Sequence, residues 1–223
     1  MEENLDALKV FAEIDRLASD VSDLYRAQSK NTILLFDRYA SIPPNNITPR
    51  KFIADAKMPL NVTIGLINRL VDSSSKNIAK EYNSRFVSKY LVASANALTQ
   101  PLFAQMSYDV MLVKSDIVRM SIEVTNREAN GESKDSAFIA AKKNLHRPYA
   151  DKIERRVAGN YVEIMTRNWA ISSIYGAFAD QAKESGQRFI SLTDGNRIDV
   201  SGYNGFMENN LSIYPNALPK ENK

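Results

Sequence analysis

"LFAQMSYDVMLVKSDIVRMSIEV", Leu102 to Val124, decides what kind of chain this is. Leu102, Met106, Val110, Val113, Ile117, Met120 and Val124 recur every three or four residues. That spacing gathers side chains on one face of an α-helix and does not suit a strand, whose faces alternate every second residue. Asp109, Asp116 and Glu123 recur every seventh residue and share another stripe. Arg119 follows Asp116 by three positions and Arg127 follows Glu123 by four. Side chains at those offsets meet on a helix surface, so the stripe is expected to be a solvated ladder of ion pairs. Asp109 stands apart because it sits between Tyr108 and Val110 in an apolar run, and its burial bears on any chemistry it does.

The same rhythm extends upstream through Ile78, Tyr82, Phe86, Tyr90, Ala93 and Ala97 to Pro101. A single straight helix from Lys76 to Asn126 would be roughly 75 Å long at 1.5 Å per residue. Pro101 predicts a kink or a break, because a proline ring opposes the carbonyl four residues back.

At the amino end Ala7, Val10, Ile14, Leu17, Val21 and Leu24 follow one another at 3-4-3-4-3 intervals, a seam of coiled-coil type that Leu8, Phe11, Ala18 and Tyr25 widen. Such a seam serves either the interior of the chain or a partner. Ile33 to Tyr39 suggests a second, shorter helix ended by "SIPPNN" at Ser41 to Asn46. Thr48-Pro49 restarts the chain with a capping hydroxyl and a proline, giving a helix to about Ala56. Pro59 opens the next, with Leu60, Ile64, Ile67 and Val71 on one face and a break at Ser73 to Ser75.

Beyond the loop "EANGESKDS", Phe138, Ala141 and Leu145 mark a short helix ending before Pro148. The last long helix is expected from Pro148 to about Ser185, with Ile153, Val157, Tyr161, Ile164, Ile171, Tyr175, Phe178 and Ala182 inward. Gly159 and Gly176 lie inside it, where they let a neighbouring helix approach, and Gly186 stops it. "FISLTDGNRIDVSG" then alternates as a strand, turns on Asp194-Gly195 and alternates again, which predicts one β-hairpin. The fold expected is all-α, an elongated bundle of about six or seven helices over residues 1–186 with a sub-boundary near 73–75, one hairpin over 187–202 and an irregular arm over 203–223.

The totals agree with a globular chain. Its 223 residues suffice to bury a core, and 44% of them are hydrophobic. A net charge of +3, from 29 basic and 26 acidic side chains, is too weak a field to select nucleic acid or an anionic membrane. The absence of cysteine removes disulfides, thiolate metal sites and cysteine nucleophiles. Acidic residues stand where a secretory signal would carry bases, and the apolar residues are spaced rather than run together, so a cytoplasmic protein with no membrane span is expected. Plentiful Asn, Lys and Ile suit an AT-rich genome such as many bacteria and their viruses have.

Catalytic constellations are hard to find. His146 is the single histidine, with no carboxylate or second histidine at metal-ligand spacing in sequence, so it reads as a surface or helix-end residue. "DGNRID", Asp194 to Asp199, lacks the acid-glycine-glutamate order of an EF-hand and reads as turn chemistry. Phosphate-cradling glycine loops, GxSxG elbows and HExxH are missing. No cofactor, metal or catalytic residue is expected. The rival enzymatic reading would need Asp109, Tyr108 and His146 to converge in a closed pocket.

One stretch carries a family likeness. "ITPRKFIADAKMPLNVTIGLINRLVDSS", Ile47 to Ser74, resembles a helix-turn-helix of winged-helix regulator type, with Ala54 where the first helix packs on the second and Ile64 and Ile67 ten and thirteen residues later. Met58 stands where that family usually has glycine, and no strand-rich wing follows Ser75. The resemblance implies DNA binding through Arg50, Lys51, Lys57 and Arg69. The reading preferred over it is a non-enzymatic helical adaptor or structural subunit of a larger protein assembly, such as a bacterial secretion machine or a viral particle. Its expected contacts with other proteins are Val10, Ile14, Leu17, Val21 and Leu24 on the amino-terminal seam and Phe206, Leu211 and Tyr214 on the carboxyl-terminal arm.

Overall fold

The computed structural model describes residues 7–42, 49–82, 85–145, 147–185, 189–191 and 197–199. Among them are six helices: α1 (Ala7–Tyr39), α2 (Pro49–Glu81), α3 (Arg85–Ala129), α4 (Lys134–Lys143), α5 (Pro148–Val157) and α6 (Tyr161–Ser185). Two short strands, β1 (Phe189–Ser191) and β2 (Arg197–Asp199), pair antiparallel with Ile190 opposite Ile198. The Asp194-Gly195 turn lies outside the described residues. The chain is all-α in its bulk, and no described helix is long and apolar enough to cross a membrane.

Four expected breaks are absent, that at Pro101 having been expected as a break or a kink. α1 runs unbroken through Ile33 to Tyr39, α2 through Pro59 and Ser73–Ser75, and α3 through Pro101. A proline inside a helix forfeits one backbone hydrogen bond and crowds the preceding turn, and side-chain burial on both sides offsets this. Phe52, Ala56 and Leu60 are buried around Pro59, and Leu98 and Leu102 are fully buried around Pro101. The serines do not cap. Ser74 and Ser75 are buried within the helix, and the Ser74 hydroxyl accepts a hydrogen bond from Arg16 at 3.3 Å.

The opposite correction applies to the last long helix. It is two helices, α5 and α6, separated at 158–160, so Gly159 marks a break rather than a helical interior. The α5 chain closes there with Ala158 N–H donating to the Glu154 carbonyl at 3.3 Å and Gly159 N–H to that of Arg156 at 3.1 Å. Restarting at Tyr161 resets the helical phase. Ile164 and Ile171, expected inward, are therefore exposed, and Val162, Met165, Trp169, Ala170, Ile174 and Ala177 are buried in their place, while Phe178 is buried as expected. Gly176 is buried within α6 as expected. α3 stops at Ala129 because Gly131 takes the left-handed conformation at φ 89°, and Glu132 N–H closes back onto the Arg127 carbonyl at 3.1 Å.

The chain divides into two compact units, each built from parts of α1, α2 and α3. The first takes α1 up to Ser22, Leu66–Pro101 and everything from Tyr161 onward. Its core holds Val10, Ile14, Leu17, Val21, Ile67, Val71, Ile78, Leu91 and Leu98 with the α6 residues. Polar contacts tie its helices together. The Trp169 indole N–H donates to the Ser94 carbonyl at 2.9 Å, Ser94 and Ser173 hydroxyls meet at 2.7 Å, and Arg167 donates to Asp15 at 2.7 Å.

The second unit takes Asp23–Gly65 and Leu102–Asn160. Phe36, Phe52, Leu102, Met106, Val113, Ile117 and Met120 fill it, and Tyr39 meets Phe52 edge-on with ring centres 5.5 Å apart. Arg147 fastens α5 to α1, donating to Asp37 at 2.7 Å, to Asp151 at 3.0 Å and also to Glu154. α4 is capped by Ser133, whose hydroxyl accepts from Ser136 N–H at 3.3 Å.

Candidate functional site

In the second unit a groove of about 240 Å³ opens between α1 and α2, lined by Gln28, Asn31, Thr32, Leu34, Leu35, Arg38, Asp55, Ala56 and Pro59. Two features of the sequence leave it open. Ala56 and Pro59 are short where a longer side chain would fill the space, and Pro59 has no N–H for the Asp55 carbonyl. The floor is a buried polar chain in which Gln28 Nε2 donates to Thr32 Oγ1 at 3.4 Å and Thr63 Oγ1 donates to Gln28 Oε1 at 3.3 Å. At one end the Tyr39 hydroxyl donates to the Asp55 carboxylate at 2.5 Å. Burial first, and then that carboxylate, push the Tyr39 phenol up to about 12, so it stays a hydrogen-bond donor at any ordinary pH. Leu34 in the lining is 64% exposed, and elsewhere on α2 Met58 and Val62, one turn apart, are 74% and 56% exposed.

A groove of this size is below the roughly 300–1,000 Å³ usual for small-molecule sites and suits the insertion of a side chain. Its lining offers no nucleophile beside a base. Asp55 is occupied by Tyr39, and Gln28 by two threonines.

The inward side of α3 carries the unit's buried ions, and here the expected solvated ladder is corrected at Asp116, while Asp109, set apart from it by the sequence, is buried too. Asp109 and Asp116 are 1% and 0% exposed. They face α5, which runs antiparallel to α3: Asp116 meets its amino end and Asp109 its last turn. Arg156 donates to the Asp109 carboxylate and, at 3.1 Å, to the buried Tyr25 hydroxyl, while Gln105 donates to the other Asp109 oxygen at 3.0 Å. Burial raises the Asp109 carboxyl above the ordinary range, with Arg156 and Gln105 opposing. Asp116 is raised by burial too, against the pull of the Ala150 and Tyr149 amides and of Arg119.

Neither Asp116 oxygen has a hydrogen-bond partner of normal geometry, and Arg119 stands 3.8 Å away with its guanidinium 5.0 Å above the Tyr149 ring. α5 has no side-chain cap of its own, so the Asp116 charge lies where the helix dipole is positive. Glu123 does pair with Arg127, at 2.8 Å, as the spacing predicts.

Tyr108, by contrast, is 58% exposed while its neighbour Asp109 is buried, so the two do not converge. His146 lies outside the described residues. Among the described residues no group of three or more His, Cys, Asp or Glu side chains is arranged to hold a metal.

Val10, Ile14, Leu17 and Val21 are buried inside the first unit and Leu24 is half-buried in the second, so the amino-terminal seam is covered by the chain itself. Phe206, Leu211 and Tyr214 lie outside the described residues. Arg50, Lys51, Lys57 and Arg69 are all exposed. The helix-turn-helix that would organise them is absent, because α2 passes without a turn from Pro49 to Glu81. Comparison with known protein families, curated proteins and solved structures finds no match.

Sequence reasoning missed the outward apolar residues Leu34, Met58, Val62, Met111 and Ile122. The available signal was negative: Met111 and Ile122 fall outside the inward series from Leu102 to Val124, so that face leaves them over.

Proposed function

We propose that the chain is a non-enzymatic helical adaptor or structural subunit that docks into a larger protein assembly, inside a bacterial cell or in a viral particle. The observation that carries this reading is the α1/α2 groove with its oily wall. Leu34 offers large apolar surface to water in the lining of a cleft sized for an inserted side chain, and α2 exposes Met58 and Val62 as well. Such surface contributes favourably only once a partner covers it, at about 25 cal/mol per Å². Asn31, Arg38 and Asp55 supply polar groups in the lining, the usual composition of a protein-protein contact rim. In this reading the strand pair Phe189–Ser191 and Arg197–Asp199, and the sequence over 203–223 with Phe206, Leu211 and Tyr214, are further points of attachment.

The test is to purify the chain gently from its own host and measure its mass by light scattering. The expected result is a stoichiometric heavier complex, lost when Leu34→Asp and Met58→Asp are combined and weakened when residues 203–223 are removed. A monomer in every case contradicts the reading.

A further inference from the structure

Outside its inward series, α3 carries a second regular pattern. Tyr108, Met111, Ser115, Val118, Ile122 and Thr125 follow one another at 3-4-3-4-3 intervals within the second unit. Val118 is half-buried and the other five are exposed, with Tyr108, Met111 and Ile122 at 58%, 49% and 54%. A helix face selected for water would carry charge at such positions. A repeat averaging 3.5 residues is instead the seam that one helix presents to another crossing it at about 20°.

The two polar members are already provided for. The Ser115 hydroxyl donates to the Met111 carbonyl at 3.3 Å and the Thr125 hydroxyl to the Ser121 carbonyl at 3.0 Å. Covering them therefore strands no donor.

The rim says what kind of helix fits. At the positions flanking the stripe the charged residues are Lys114 and Arg119, both basic. Arg119 is held on that rim by the Tyr149 ring with 51% of its side chain exposed. Of the neighbouring acids, Asp109 and Asp116 are turned inward and buried, and Glu123, with 45% of its side chain exposed, is paired with Arg127 at 2.8 Å. A second copy presenting the same face would set basic rim against basic rim, which opposes pairing.

We propose that this face binds an amphipathic α-helix of another protein, one whose apolar seam is flanked by acidic residues. The proposal rests on the docking reading above and adds the partner's chemistry. Two synthetic helical peptides about three heptads long test it, both with leucine at the seam positions, one flanked by Glu and the other by Lys. Binding to the full chain is followed by fluorescence anisotropy. The Glu-flanked peptide is expected to bind at least about tenfold more tightly at low salt, with the ratio shrinking as salt is added. Met111→Asp combined with Ile122→Asp is expected to abolish binding while helix content by circular dichroism stays unchanged.

Equal binding of both peptides, or binding of neither, overturns the proposal. Binding that survives the α3 double variant but disappears with Leu34→Asp and Met58→Asp overturns it too, and leaves the docking function standing. A dimer of the chain alone that Met111→Asp dissociates assigns the face to a second copy and overturns it as well.

Discussion

Ile117 and Ile122 stand five residues apart on α3; the first has no exposed surface and the second keeps 54% of its own. The face around Ile117 also takes in Asp109 and Asp116, while the face around Ile122 leaves Tyr108 and Met111 in water. Charge is inside and oil is outside. The difference teaches that burial along this helix is decided by what α5 brings to it, not by residue polarity. α5 supplies Arg156 to Asp109 and its own amino end to Asp116, so two carboxylates tolerate an apolar surround. Nothing comparable among the described residues covers the opposite side.

The largest expected effect breaks the buried ion pair. Asp109→Ala leaves Arg156 half-buried without its counter-charge and should cost about 4 kcal/mol in urea unfolding. An undiminished stability would mean that α5 is not held to α3 by this pair. Next, Ile117→Ala should cost about 3 kcal/mol, the transfer and cavity cost of a fully buried isoleucine.

Asp116→Asn should work in the other direction. Burial raises the Asp116 carboxyl in the folded chain, so the native state holds that proton more tightly than the unfolded state does. Its contribution is complete below the ordinary carboxylate range and is lost as pH rises through the raised value. Removing the charge should therefore stabilise the fold at neutral pH by about 1 kcal/mol and flatten the pH dependence. A loss of stability at neutral pH in the variant would show that the α5 dipole outweighs desolvation. The smallest effect is Ile122→Ala, within about 0.5 kcal/mol. A loss as large as that of Ile117→Ala would erase the contrast between the two faces.

Much of this was legible beforehand and some was not, for physical reasons. The inward series from Leu102 to Val124 was readable because periodicity records a helix face directly, and each of its seven members is buried. Helix ends were misread at Pro59 and Ser73–Ser75, where tertiary packing overrides a local breaking signal, and of the break or kink expected at Pro101 the break does not occur. The break at Gly159-Asn160 was passed over because a single glycine inside a periodic run is a weak stop. The solvated reading of Asp116 failed because the α5 amides that face it lie far away in sequence, beyond the reach of i, i+4 reasoning, and the partner of Asp109, Arg156, was hidden for the same reason at a separation of 47 residues. The groove was invisible for the same reason, since its lining comes from two helices.

The measurement closest to the central claim, that the outward face of α3 is a docking surface, places a photo-crosslinking amino acid at position 111, at 122 or at Lys142 of α4, which is exposed and off the stripe. In the native host, a covalent adduct with another protein is expected from positions 111 and 122 and none from 142. Adducts from all three alike, or from none, would contradict the account.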